Sequence, residues 1–234
     1  MYIYETHMHT SEASDCAECT AVQMADKYKA EGYTGIIITD HFFNGNSSVP
    51  HDLPWEERVE LYCKGYEHAK ARGEEIGLDV FFGIEFGDGG SDYLIYGLDK
   101  QWLKKNEGIL DMELWRFLEY ARSCGAFVVQ AHPFRDRDYI HCTTHCPHFT
   151  DAVEIINASH PKDSDFNHRA AEYAKWYDLP VTAGSDAHST TTRWFGGGVE
   201  SPEKFNDVMD YCRAVKAGTL KLRERSCLLY TSDA

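Results

Sequence analysis

Short apolar runs alternate with longer stretches of helical periodicity along most of the chain. Strands are expected over residues 2–6, 34–39, 80–85, 93–96, 126–131, 152–156 and 181–183. The unbroken run Gly35-Ile-Ile-Ile suits a strand covered on both faces. Helices are expected over residues 20–30, 55–72, 112–124, 166–177 and 202–217. Asp111 and Ser201 are candidate caps of the third and fifth helices, with Pro202 at a first helical position. Repeated βα units of this length predict a parallel α/β architecture in a single domain over residues 1–226. Residues 43–54 and 135–150, rich in Asn, Asp, His, Ser and Thr, read as long loops, and loops of that length in a compact domain are often functional.

Composition narrows the function. The 234 residues are 43% hydrophobic and 26% charged, an ordinary globular mixture long enough for one complete core. No apolar run reaches membrane-spanning length, and Met1–His7 carries neither a basic nor an apolar leader, so a cytoplasmic protein is expected. The net charge of −15 repels phosphate backbones and argues against extended nucleic acid as a partner. A small anionic substrate remains compatible, because bound metal reverses the field inside a pocket. Eight irregularly spaced cysteines read as reduced thiols; Cys16-x2-Cys19 has zinc or redox spacing, but no second pair stands near it. Residues 227–234 can be encoded by codons that spell a transposon-end adapter used in sequencing libraries, and are expected to be a non-native tail.

Histidines and acids fall where the expected strands end. His7-x-His9 follows the first, Asp40-His41 the second, Glu85 closes the third, His132 follows the run 126–131, and Asp186-x-His188 follows the last. Parallel strand ends converge on one face, where active sites are built. Residues i and i+2 of an extended chain point the same way, so each x-spaced pair can grip one ion. Any one of these elements has an ordinary structural explanation; their joint placement at five strand ends points to a shared metal site. Six or more ligands exceed the needs of one ion, and bridged metals suit attack on phosphorus.

The ordered motifs Thr6-His-Met-His-Thr, Ile38-Thr-Asp-His, Gly83-Ile-Glu, Ala131-His-Pro-Phe-Arg, Glu154-Ile-Ile-Asn and Gly184-Ser-Asp-Ala-His resemble those of the PHP (polymerase and histidinol phosphatase) superfamily of phosphoesterases, over residues 2 to about 222. The resemblance implies a distorted seven-stranded β/α barrel and two or three divalent ions of zinc, manganese or iron. It assigns His7, His9, Glu85 and Asp186 to one ion, Asp15, His41 and His188 to a second, and His132 with a bridging Glu85 to a third. Asp15 stands where many members have histidine, and Asp92 falls nearest another position where members offer histidine. Arg135 resembles the family's phosphate-binding arginine, and its fork matches phosphate geometry; Asn157 matches an asparagine that contacts substrate or braces a loop. The implied activity is hydrolysis of a small phosphate ester, nucleotide or histidinol-phosphate-like, by a metal-bridging hydroxide.

Two other readings stay open: a metal-dependent amide or ester hydrolase, although no lysine ends a candidate strand to serve as a bridging ligand, and a non-catalytic metal-stabilised binding module. The tract 141–148, with three histidines and two cysteines, reads as a lid over the barrel mouth or as a separate zinc site. His160 and His168 are expected at the surface or in support of the ligands, His51 and His68 in solvent, and Trp194 is a candidate stacking residue. If the tail is an artefact, resequencing the locus will show codons other than those for residues 227–234 after about Ser226; recovery of the same codons in genomic context would reject it.

Overall fold

The computed structural model describes residues 1–138, 140–191 and 196–224. Trp194 and the tail 227–234 lie outside the described residues. The elements are β1 (Tyr2–Glu5), α1 (Ala21–Ala30), β2 (Gly35–Ile38), α2 (Trp55–Tyr62), α3 (Lys64–Ile76), β3 (Asp79–Asp88), β4 (Ser91–Tyr96) and α4 (Lys100–Lys105). They continue with α5 (Leu114–Ser123), β5 (Phe127–Ala131), β6 (Ala152–Asn157), α6 (Phe166–Trp176), β7 (Val181–Gly184), β8 (Gly198–Ser201), α7 (Val208–Ala217) and β9 (Lys221–Arg223).

All seven expected strands form, but the described sheet has nine, not seven, in the order β7-β6-β5-β4-β3-β2-β1-β8-β9. The two additions, β8 and β9, are short and antiparallel, with charged residues on an edge, and carry no clear apolar alternation. The sheet is also mixed rather than wholly parallel. Asp88-Gly-Gly-Ser makes a tight hairpin in which Gly89 and Gly90 take φ of 61° and 113°, and β4 therefore runs antiparallel between β3 and β5. This reversal matters for the site: Asp92, near the start of β4, pairs with Gly87 and Ala131 and so reaches the rim where β3 and β5 end. Beyond β7 the chain returns to β1, where Met8 pairs with Ala187 and Asp186 N–H donates to His7 O at 2.7 Å. The sheet is thereby curled into a nearly closed barrel.

The pleat of β2 shows how the core is divided. Ile36 and Ile38 pack with Met24, Tyr28 and Ala69 of α1 and α3, whereas Ile37 joins Tyr4, Leu94, Tyr96 and Val129 on the other face. Burying each isoleucine stabilises the fold by about 1.5–3 kcal/mol. Helix α1 starts at a reciprocal Thr20–Gln23 capping box. The helix expected over 55–72 is two helices meeting at Cys63. Helix α7 begins at the Asp207 cap rather than at Ser201, because Ser201 still belongs to β8 and Phe205 is held on the Tyr4 ring, centroids 4.3 Å apart. Helix α5 starts after Glu113, whose side chain makes no capping bond, since Asp111 closes a preceding 3-10 turn. Among the described residues no helix is long and apolar enough to cross a membrane, and all seven cysteines are unpaired.

Gly184 is where β7 passes closest to the first motif. A Cβ there would meet His7 Cβ at 2.5 Å and Glu154 Oε1 at 2.7 Å. Gly184→Ala is expected to lower stability by about 1–3 kcal/mol in urea unfolding. An unchanged midpoint would show that β7 is not held this tightly.

Candidate metal centre

The loop ends of β1, β2, β3, β5 and β7 deliver their histidines and acids to one buried cluster. Glu85 stands at its centre. Its Oε1 lies 3.1 Å from His7 Nε2 and 3.3 Å from His132 Nε2, and its Oε2 lies 2.7 Å from His41 Nδ1 and 3.4 Å from His9 Nε2. Asp186 Oδ1 is 3.2 Å from His9 Nε2, 3.6 Å from His7 Nε2 and 3.5 Å from His188 Nδ1. Three sets of ligand atoms each fall within 4.8 Å of one another: His7, His9 and Asp186; His7, Glu85 and His132; His9, His41 and His188. Sets of this composition suit divalent metal ions.

Hydrogen bonds behind the cluster fix which ring nitrogen faces inward. Glu154 Oε1 takes the proton of His7 Nδ1 at 2.9 Å, which leaves Nε2 turned to Glu85 and Asp186. Ser14 Oγ donates to Asp40 Oδ1 at 2.8 Å and accepts His41 N–H at 3.0 Å. Its remaining capacity is as an acceptor, so His9 Nδ1, 3.2 Å away, is the donor and His9 Nε2 carries the free lone pair. His188 Nδ1 donates to Asp186 O at 3.0 Å, freeing its Nε2. Buried Glu5 ties the two x-spaced motifs together, its Oε1 accepting His7 N–H at 3.0 Å and Ser185 N–H at 2.8 Å. His7 Nε2 and His9 Nε2 are buried without a hydrogen-bond partner, and Glu85 Oε2 has only the imidazoles of His41 and His9 beside it. Such atoms are costly unless a cation meets them.

The backbone is strained at two of these positions: His132 has φ of 25° and Asp186 φ of 53°. Each non-glycine residue held there costs on the order of 1–3 kcal/mol. Glu154 Oε2 holds the first by accepting His132 N–H at 3.1 Å, and the Asp186 N–H bond to His7 O holds the second.

The electrostatics divide the cluster. Burial disfavours charge on His7, but Glu154, Asp186 and Glu85 outweigh it and raise its pKa well above the usual value. His41 is raised likewise, against burial, chiefly by Glu85. His9 is lowered by burial and by the neighbouring His188 and His41. Burial works to raise Glu85 and Asp186, yet His41, His7 and His9 lower the first and Arg135 with His7 lower the second. Asp92 is raised by burial and by Glu85. Cys16, although burial opposes it, is lowered to about 6 by hydrogen bonding to His188 and His41.

Seven expected ligands thus converge: His7, His9, His41, Glu85, His132, Asp186 and His188. Asp92 stands at the edge, its Oδ2 3.8 Å from His132 Nε2. Asp15 is exposed and belongs to none of the three sets. Arg135 donates to Asp186 Oδ2 and to Ser159 Oγ at 3.3 Å, not to Asp136 or Asp138. Asn157 is a brace, its amide donating to Glu154 at 3.0 Å and Asp186 at 3.3 Å and its Oδ1 accepting from Ser159 at 2.7 Å. The tract 141–148 forms a strap across the rim: Thr144 O accepts from Tyr93 and Gln130, and His145 Nε2 is 2.8 Å from Pro133 O. Its histidines and cysteines form no ligand set among the described residues. His160 is half-buried, with Nδ1 bonded to Asn167 Oδ1 at 2.8 Å and Nε2 buried without a partner; burial and Arg135 lower its pKa to about 3. Sequence reading missed Glu5 and Ser14 and gave Glu154 no role; their one signal was proximity to the HxH, Asp-His and Glu-Ile-Ile-Asn motifs.

Comparisons with known proteins agree with this geometry. The PHP-associated family model matches residues 165–192, a stretch that includes Asp186 and His188. A two-domain protein of Bacteroides vulgatus containing a predicted PHP-like metal-dependent phosphoesterase superposes with a TM-score of 0.71 at 14% identity, over 96% of this chain and 65% of that one. An inferred metal-dependent phosphoesterase of Bifidobacterium adolescentis gives 0.55 at 16% identity, over 92% and 96% of the two chains. An amidohydrolase of Chromobacterium violaceum, with bound sulfate and no metal, gives 0.53 at 14%, over 94% and 97%. At these identities the structural likenesses show a shared fold. This chain spans about two thirds of the length of the Bacteroides protein. No curated protein matches in sequence. The PHP-associated match is confined to the segment that carries Asp186 and His188, and the solved structures share the fold.

Removing the Glu154 carboxylate frees the His7 ring. Glu154→Ala is expected to weaken metal binding roughly 10–100-fold in competition with a chelator. Unaltered affinity in the folded variant would deny Glu154 this orienting role.

Proposed function

We propose that the chain is a metal-dependent phosphoesterase acting on a small phosphate ester, nucleotide or histidinol-phosphate-like. The observation that carries this reading is the convergence of buried, partnerless His7 Nε2 and His9 Nε2 with Glu85 and Asp186 at one rim of the barrel. These residues fit a group of divalent ions. His7, His9, Glu85 and Asp186 would hold one ion, His41 and His188 a second, and His132 with Glu85 and Asp92 a third. Bound there, the ions would acidify water and offset charge on phosphoryl oxygens.

The protein's own groups supply the rest. Arg135 lines a cavity of about 250 Å³ together with Phe134, His141, His145 and Arg169. Arg135 and Arg169 outnumber the one carboxylate of the lining, Asp136, and this balance, set against the acidic protein as a whole, favours an anionic substrate over a neutral amide. Arg135, bonded to Asp186 Oδ2, would be free to grip a phosphate if that carboxylate were to hold a metal ion instead. His160, held neutral by burial and by Arg135, presents a proton acceptor beside that position. The strap 141–148 closes one wall and limits substrate size.

Phosphate release should therefore appear in a screen of nucleotides and sugar phosphates, and His9→Ala and Asp186→Ala should lose both release and bound metal. Turnover of amide or ester substrates alone would favour the amidohydrolase reading; bound metal with no turnover of either kind would favour a binding module. Arg135→Ala should retain metal while KM rises roughly 10–100-fold, because a charged hydrogen bond contributes about 1.5–3 kcal/mol. An unchanged KM would remove Arg135 from the phosphate site.

The raised pKa values of His7 and His41 set a further expectation. The shift favours their protonated forms, whose protons a metal must displace, so binding should release protons and weaken as pH falls. Calorimetry in buffers of different ionisation enthalpy reads this directly. Proton uptake, or none, would contradict the assignment.

A further inference from the structure

The turn 157–160 brings two side chains beside the metal centre that are not among its ligands. His160 N–H donates to Asn157 O at 3.3 Å, and Ser159 Oγ accepts a guanidinium N–H of Arg135 at 3.3 Å. The His160 ring lies edge-on to that of His132, centroids 6.4 Å apart, and to that of Phe166 at 5.2 Å. Its tautomer is fixed from outside the centre. Asn167 Oδ1 accepts Asn157 N–H at 3.1 Å, and Asn167 Nδ2 donates to Asn157 O at 3.4 Å. The same oxygen therefore faces His160 Nδ1 at 2.8 Å, so Nδ1 bears the proton and Nε2 is a bare acceptor. Nε2 is nevertheless buried with no partner among the described residues. Arg135 Nε, a donor on the side chain that bonds Ser159, is buried without a partner as well. Buried polar atoms are ordinarily satisfied, and here an acceptor and a donor both call for a partner.

We propose that His160 Nε2 accepts a hydrogen bond from a substrate hydroxyl on the carbon next to the one that bears the phosphate. The substrates are then phosphate monoesters of vicinal diols. This inference rests on the phosphoesterase reading above and names the class of ester within it. His160 belongs to none of the three ligand sets, so its lone pair is left for something other than an ion. The ring stands beside a ligand rather than among the ligands, which suits a neighbour of the phosphate rather than the phosphate itself. The closeness of the His160 and His132 rings favours a hydroxyl on the adjacent carbon over one on a longer arm. A hydroxyl both donates and accepts, so one group can meet His160 Nε2 and Arg135 Nε together. An ammonium only donates, and the Arg135 charge repels it. His160 in this role selects the substrate; it transfers no proton.

The probes are phosphonates, in which a methylene replaces the ester oxygen, titrated by calorimetry into the manganese-loaded full-length protein. The wild type should bind 3-hydroxypropylphosphonate roughly tenfold more tightly than propylphosphonate, because a buried acceptor left without a partner is costly. His160→Phe keeps a ring in place and should bind the two alike, with its metal content unchanged. Equal binding by the wild type, or a preference that survives His160→Phe, overturns the proposal. Tightest binding of 3-aminopropylphosphonate overturns it too. Equal affinities that fall together in His160→Phe would give Nε2 to the hydroxyl of the phosphate itself, and also overturn it. The wild-type comparison decides even where the variant does not fold. Phosphate release is read separately on 2-hydroxyethyl phosphate and ethyl phosphate. A hydroxyl preference in binding with no release from either ester keeps this site and denies the phosphoesterase reading. Binding of none of the phosphonates removes both.

Discussion

A carboxylate buried among imidazoles is the constraint on which this structure turns. Glu85 is 1% exposed and faces His7, His9, His41 and His132 within 3.4 Å. A buried anion is costly unless opposed by positive charge, and here the carboxylates raise the pKa of His7 and His41, which favours their charged forms. Divalent ions satisfy the same demand more fully, since they meet the nitrogen lone pairs and the carboxylates at once. The barrel exists, in this sense, to bring one glutamate and its neighbours together in a place without water.

The arrangement is achieved by supports rather than by the ligands alone. Glu5 binds the first and last motifs into one unit through backbone N–H groups on β1 and beyond β7. Glu154 orients His7 and restrains the strained His132 backbone, while Asn157 links Glu154 to Asp186. Ser14 does the same for His9 from the opposite side and ties it to Asp40. Each support spends its hydrogen-bonding capacity outside the cluster, so the inward nitrogens remain free for a cation. Across the mouth, Arg135 adds a positive group, bonded to Asp186 and Ser159.

The fold was readable as far as its strongest signals went. Continuous apolar runs such as Ile36–Ile38 marked buried strands, and the polar residues that follow them marked the rim. Where the structure departs, local cues were weak or contested. Asp88-Gly-Gly-Ser turns β4 around and makes the sheet mixed, a reversal that helical and strand periodicity does not encode. The strands β8 and β9 are stabilised by long-range pairing with β1 and with each other, not by their own pattern. Among site residues, His7, His9, His41, Glu85, His132, Asp186 and His188 were visible because they sit at strand ends. Asp15 lies in a loop whose place beside His41 and His188 depends on bonds at Ser14 and Glu18 that a linear pattern does not encode.

Crystals of the protein grown with zinc or manganese, with anomalous scattering recorded at the metal edge, test the central claim most directly. The account predicts two or three anomalous peaks around Glu85, each within coordination distance of the His7, His9 and Asp186 side chains or their immediate neighbours. Peaks confined to surface carboxylates, with Glu85 still paired only to histidine protons, would contradict it.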